Sequence, residues 1–363
     1  MKERVAYFDN IKGILILTVV LSHFMLYWDD VPGSTLLITV RWWTNMFVMP
    51  AFLFASGIFA GRAIHDEKAY SAHKILVYGI LFLIVGYVLM FETSYLKNGV
   101  APELKTILAV FNTTTAAWYL LAITIYTMTV PTLAKLRAGL MLPIVYIFSL
   151  SEGFWIQAPK VLSLGKVVAF LPYFVIGFYL TDARMLEWRR YVGNLKPAKR
   201  LAVYGAAIAL FAAVYTFLAL RGPGGLGKLI HNLESSYRGY EAIADMRNVS
   251  VLEAFLGRTA LYALVPILIF AIVTLVPIKK LPFITRAGTN SLQIYIFHVI
   301  IYYIIFIRGI DTWLMAQSPL WRYAPFVIAP LLTWLLSLPS APNKWVKSLD
   351  AFCRKALRQN KTL

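Results

Sequence analysis

The chain reads as long apolar runs separated by short polar ones. Runs of helix length fall at about 9–28, 41–60, 74–91, 116–134, 139–151, 162–180, 200–220, 254–276, 290–307 and 321–338. A bilayer's hydrocarbon core is about 30 Å thick and takes about 20 apolar residues of helix to cross. The pattern therefore predicts ten transmembrane helices, with the fifth short for that thickness. Residues 102–111 predict a re-entrant or interfacial helix. The expected fold is all-α, a polytopic membrane helical bundle. No internal repeat or low-complexity tract divides it, so 1–340 is expected to form one membrane domain and 341–363 a basic cytoplasmic tail.

Composition agrees with a membrane protein. Hydrophobic residues make up 60% of the chain and charged residues 14%, against about 45–50% and about 25% in soluble domains. The first apolar run follows Tyr7, Phe8, Asp9 and Asn10 and lacks a small-residue cleavage site, so no cleavable signal peptide is expected.

Lys and Arg number 35 and Asp and Glu 17. Twenty-two of the basic residues fall in the N-terminus and alternate connections and 11 in the others, with Lys12 and Arg258 inside spans. That skew places both termini in the cytoplasm. The positive charge is then topological and lipid-facing, and no nucleic-acid partner is needed to explain it. Cys353 is the sole cysteine, which excludes a disulfide framework and a thiol metal cluster. No metal site is predicted. The external connection 221–253 reads either as a spacer or as a substrate-facing loop.

The candidate chemistry begins in "DNIKGILILTVVLSHF", residues 9–24. An ionisable group inside a span is costly and usually faces a cavity or a partner. Lys12 sits near the cytoplasmic end and can snorkel, but His23 lies too deep to do so. Eleven helical steps separate the two, about 16 Å along the axis and only about 20° around it. Both side chains project to one side of the helix, which suits an elongated donor with its anionic end at Lys12 and its reactive end at His23.

His298 lies on a stripe with Ser291 and Tyr295, which reads as hydrogen bonding between helices. His65, His73 and His231 are expected in loops. Asp9, Glu92, Glu152 and Glu253 sit at span edges, so a carboxylate ion relay is not expected.

Five stretches then carry a resemblance. "YFDNIKGILILTVVLSHF" resembles the first helix of the acyltransferase 3 family of multipass membrane O-acyltransferases, with its basic residue, ten intervening residues and histidine. Here Lys12 stands where the family most often has arginine. "FVMPAFLFASGIFAGR" (47–62), "AAWYLLAITIY" (116–126), "FLPYFVIGFYL" (170–180) and "AGTNSLQIYIFHVII" (287–301) are similar to later family segments, in family order. The "FDNIKG" start resembles the branch of sugar and polysaccharide O-acetylases.

The resemblance implies acyl-CoA, most often acetyl-CoA, as donor and a carbohydrate or glycan hydroxyl as acceptor, in a cell membrane of the bacterial inner-membrane type. It implies that His23 is the essential histidine and Lys12 its basic partner. An imidazole taking the hydroxyl proton during attack on a thioester contributes about 10²–10⁴-fold, so His23 is expected as the general base. Arg62 and the basic connection holding Arg184, Arg189 and Arg190 either add charge for CoA or set topology. Ser56, Asn45 and Tyr295 are oxyanion candidates, and Ser56, Trp118, Tyr295 and His298 are expected to orient substrate. Many family members carry an extracytoplasmic hydrolase-like domain, and none is expected here. The chain is therefore expected to finish transfer itself or to work with a separate extracytoplasmic partner, and a homo-oligomer stays open. The alternative from another class is a carrier or flippase for glycans or lipid-linked sugars.

Overall fold

The computed structural model describes residues 6–26, 35–65, 72–100, 103, 110, 116–133, 136–155, 161–221 and 239–357. Among these residues there is no strand. The helices are α1 (Ala6–Met25), α2 (Thr35–His65), α3 (Ala72–Phe91), α4 (Trp118–Leu133), α5 (Ala138–Ser151), α6 (Leu164–Tyr179), α7 (Asp182–Asn194), α8 (Pro197–Arg221), α9 (Tyr240–Arg247), α10 (Val251–Leu275), α11 (Pro282–Thr289), α12 (Ser291–Ile307), α13 (Ile310–Gln317), α14 (Pro325–Ser337) and α15 (Ala341–Ala356). Each of the ten apolar runs coincides with one helix. Most of 102–111 and of the external connection lies outside the described residues.

The protein is an all-α membrane bundle. Among the described residues, helices α1, α2, α3, α8 and α10 are each long and apolar enough to cross a bilayer alone, and the number reaches 8 if each bent pair forms one span. In one such pair, α7 turns 74° from α6. The basic sequence of α7 explains the bend, because Arg184 and Arg190 are exposed and belong at the interface rather than in hydrocarbon. His65 and His73 lie at helix ends rather than in loops, as the last residue of α2 and the second of α3.

Close packing centres on α1, α2 and α6. A Cβ added at Gly57 of α2 would lie 2.1 Å from the Phe174 carbonyl oxygen, and one at Gly177 of α6 would lie 2.0 Å from that of Phe54. Only glycine permits this reciprocal backbone approach, the usual means of tight helix contact where apolar burial gives no preference between lipid and protein. A second close approach joins α1 to α11, where a Cβ at Gly288 would lie 1.7 Å from the Asp9 carbonyl oxygen.

Polar side chains fix the N-terminal end of α1. Pro277 has no N–H to offer the Val273 carbonyl one turn earlier, and the Tyr7 hydroxyl donates to that carbonyl instead at 2.6 Å. Asn10 is fully buried and donates to the Pro277 and Lys279 carbonyls, each at 2.9 Å. Its own oxygen accepts from Thr285 at 2.5 Å. The polar start of the first apolar run is thus largely a docking device for the turn between α10 and α11.

Residues 341–356, expected as part of a basic tail, form a helix packed against α3 and α12. Asn343 donates to Asn290 at 2.7 Å and to Gln293 at 2.8 Å, and Cys353 is fully buried.

Candidate active site

His23 lies in the last turn of α1. Its Nδ1 is 3.0 Å from the Val19 carbonyl oxygen and 3.4 Å from Nε2 of His298 on α12. Nδ1 of His298 is in turn 2.8 Å from the Ile294 carbonyl oxygen. A carbonyl only accepts, so in the neutral rings both Nδ1 atoms carry the proton and donate. His298 Nε2 then accepts from the His23 N–H, and His23 Nε2 keeps its lone pair. The rings meet edge to face with centroids 5.0 Å apart, and Tyr302 flanks His23 at 5.6 Å. His298 is wholly buried while His23 is partly exposed.

That exposure is to a cavity of about 700 Å³, counting its open mouth. Its walls come from Val19, Ser22 and His23 of α1, Arg41, Asn45 and Met49 of α2, Trp118 of α4, Lys166 and Phe170 of α6, and Tyr295 of α12. Five helices therefore converge where α1 ends and α2, α4 and α6 begin. Ser22 donates a short hydrogen bond to the Asn45 side-chain oxygen, which orients the Asn45 amide donors. The Trp118 and Phe170 rings lie 5.0 Å apart, and the Lys166 ammonium sits 5.5 Å from the Trp118 ring centre.

The start of α6, which carries Lys166, is held by an explicit set of donors. Pro172 leaves the Val168 carbonyl without its helical partner. Ser149 of α5 donates to that carbonyl at 2.7 Å. Tyr262 of α10 donates to the Ala169 carbonyl at 2.8 Å, and Tyr126 of α4 makes a short bond to that of Val167. One turn before Tyr262, Arg258 forms a buried ion pair with Glu152 at 2.8 Å and lies 4.4 Å from the Tyr240 ring centre. A charge pair so deeply desolvated holds only because each partner neutralises the other.

The sequence candidates separate into two groups. His23, His298 and Tyr295 meet at one place, with Trp118 and Asn45 on the same cavity wall. Tyr295 spends its hydroxyl hydrogen on the Ala116 carbonyl, so that O–H is already committed and does not serve an oxyanion. Ser56 does not line the cavity. It donates to the Phe52 carbonyl of its own helix at 2.9 Å and meets the Tyr119 hydroxyl at 3.2 Å. Lys12 is not on the cavity wall either. Its ammonium pairs with Asp9 at 3.2 Å and lies 4.9 Å from the Phe59 ring centre. The Arg62 side chain lies outside the described residues. Arg189 is buried and donates to the Val276 carbonyl at 2.7 Å, which makes it a helix tie.

Sequence reasoning passed over three features. It read His298 as a helix-to-helix hydrogen bonder without its contact to His23. It counted Arg41 and Lys166 as span-edge charges. It placed Glu152 at a span edge and Arg258 within a span without joining them. The signal for Arg41 and Lys166 was their position, because both fall at the span ends assigned outside, where basic residues are disfavoured.

The fold and this site define a polytopic α-helical membrane protein with a histidine pair at the end of its first helix. The sequence pattern of one family, described as an acyltransferase domain, matches residues 5–338. The chain belongs to that family, acyltransferase 3, and is a membrane acyltransferase in the general sense the family defines. Comparison with curated proteins and with solved structures gave no match. Membership favours group transfer over the carrier reading.

Proposed function

We propose that the protein moves an acyl group, acetyl in the first instance, from cytoplasmic acyl-CoA to a hydroxyl of a sugar or cell-envelope glycan. The observation that carries this reading is the ordered pair of imidazoles. His298 accepts from His23 Nδ1–H, so the lone pair that remains on His23 is at Nε2, on a residue of the cavity wall.

In this reaction the acceptor hydroxyl oxygen attacks the thioester carbonyl while its proton passes to His23 Nε2. The C–S bond then breaks, and the imidazolium returns the proton to the departing thiolate, giving ester and free thiol. His298 positions the base, and the Asn45 amide, held by Ser22, is the donor best placed on the wall to stabilise the oxyanion. Trp118, Phe170 and Tyr295 give aromatic faces of the kind on which sugar rings stack. Lys12, a point charge kept in place by Asp9, binds the anionic end of the donor as it enters from the cytoplasm.

The test is to incubate purified protein in nanodiscs with radiolabelled acetyl-CoA and a panel of sugars. Transfer of label to a sugar, lost in His23→Ala, is the expected result. A wild-type protein that leaves acetyl-CoA intact with every acceptor contradicts the reading.

A further inference from the structure

We infer that α15 is an interfacial helix whose exposed side binds the headgroups of anionic phospholipids. The inference rests on the membrane fold and on the surface of this one helix, and it holds whether or not the acyl-transfer reading does.

Wound at about 100° per residue, α15 divides into three sectors. Asn343, Val346, Leu349, Asp350 and Cys353 fall within about 120° of arc and face the bundle, with Asn343 and Cys353 buried and Val346 and Leu349 packed on the core. On one flank Trp345 and Phe352 stand about 20° apart around the axis, and they are 38% and 61% exposed. On the other flank Lys344 and Lys355 fall about 20° apart, as do Lys347 and Arg354, and all four are exposed. The one carboxylate of the helix, Asp350, accepts from Arg354 at 2.7 Å and lies 3.6 Å from His73 of α3. Among the described residues no carboxylate lies within ion-pair distance of Lys344, Lys347 or Lys355.

So many charges keep α15 out of the hydrocarbon, and its contacts place it at one rim of the bundle. Asn343 bonds to Asn290 and Gln293 where α12 begins, and Asp350 meets His73 where α3 begins. At such a rim the protein, the edge of the hydrocarbon and the headgroup layer lie in three different directions, and the three sectors answer them. The packed sector holds the bundle, the Trp345–Phe352 flank suits the boundary between acyl chains and headgroups, and the lysine flank suits lipid phosphates. A solvated charged face gives no reason for two large rings exposed side by side. A protein partner fits less well, because lysine is depleted at protein interfaces and typical of helices that lie on membranes. On the orientation that the basic residues set, this is the cytoplasmic leaflet, where anionic lipid attracts basic segments.

The test places a fluorescent bimane label between the lysine and aromatic flanks, on Ser348→Cys in a Cys353→Ala background; Ser348 is exposed. The full chain is set in phosphatidylcholine bilayers containing doxyl-labelled phosphatidylglycerol or doxyl-labelled phosphatidylcholine at equal mole fraction, and quenching of the label gives their relative affinities. The anionic quencher should be favoured by at least about fivefold, the effect of one lysine near an anionic surface. Joint replacement Lys344→Gln, Lys347→Gln and Lys355→Gln should bring the two lipids to parity. Raised salt should do the same with the lysines in place, which guards against a misfolded variant. Equal quenching by the two lipids at low salt with the lysines present overturns the inference. So does quenching by neither, which would put the helix off the bilayer, or a preference that survives the triple replacement or the salt. Glycerol 3-phosphate added in solution should leave the quenching unchanged; relief of quenching would assign the lysines to a soluble phosphate and overturn the lipid assignment.

Discussion

The two imidazoles on which the proposed chemistry rests meet in space and are 275 residues apart in the chain. Nothing in either local stretch links them, which is why His298 read from sequence as a helix tie. The contact makes it a positioning residue with a distinct kinetic signature. His298→Phe removes one of the two acceptors of the His23 N–H, leaving the Val19 carbonyl, and should lower kcat by up to about tenfold, the value of one buried hydrogen bond, with KM for acetyl-CoA unchanged. His298→Gln can still present an oxygen acceptor to that N–H and should recover most of the loss. Equal damage from both variants would instead mean that the ring serves only packing. Lys12 calls for the opposite pattern. Lys12→Ala should raise the KM for acetyl-CoA with little change in kcat, and Lys12→Arg should restore it; a change in kcat alone would place Lys12 outside donor binding.

At the level of elements, the sequence shows where helices run but not what aligns them. The apolar runs were legible because a bilayer core tolerates little else over helix length. The ties between helices depend on single atoms. Ser149 matters because Pro172, on another helix, leaves the Val168 carbonyl to be satisfied. Ser149→Ala should strand that carbonyl and cost about 1–3 kcal/mol, read as earlier unfolding in mixed micelles; an unchanged midpoint would show that the tie carries no weight. Gly57→Ala brings a methyl group against the Phe174 carbonyl and should destabilise the protein by at least the about 1–3 kcal/mol typical of overpacking. The "DNIKG" stretch was legible as a motif and only partly as chemistry. Asp9, Asn10 and Gly13 turn out to seat α1 on α11 and its preceding turn, a packing role that the motif alone does not separate from the roles proposed for Lys12 and His23.

Across the whole molecule, the charge count gives an orientation, and the cavity gives that orientation a use. With Cys353 first replaced by alanine, single cysteines at Gly193 and Gly225 can be treated with an impermeant maleimide on intact cells. Gly225 should label and Gly193 should not; the reverse would invert the topology and with it the side from which the acceptor enters. The same count concealed Arg41 and Lys166, since a charge at a span end looks alike whether it anchors a helix or lines a cavity. The proposed arrangement, with the donor's anionic end at Lys12 and the base on the cavity wall at the other end of α1, depends on His23. The direct measurement is acetyl transfer and CoA binding by His23→Ala beside the wild type, in nanodiscs. The account predicts that CoA still binds while turnover falls about 10²–10⁴-fold; transfer at the wild-type rate would contradict it.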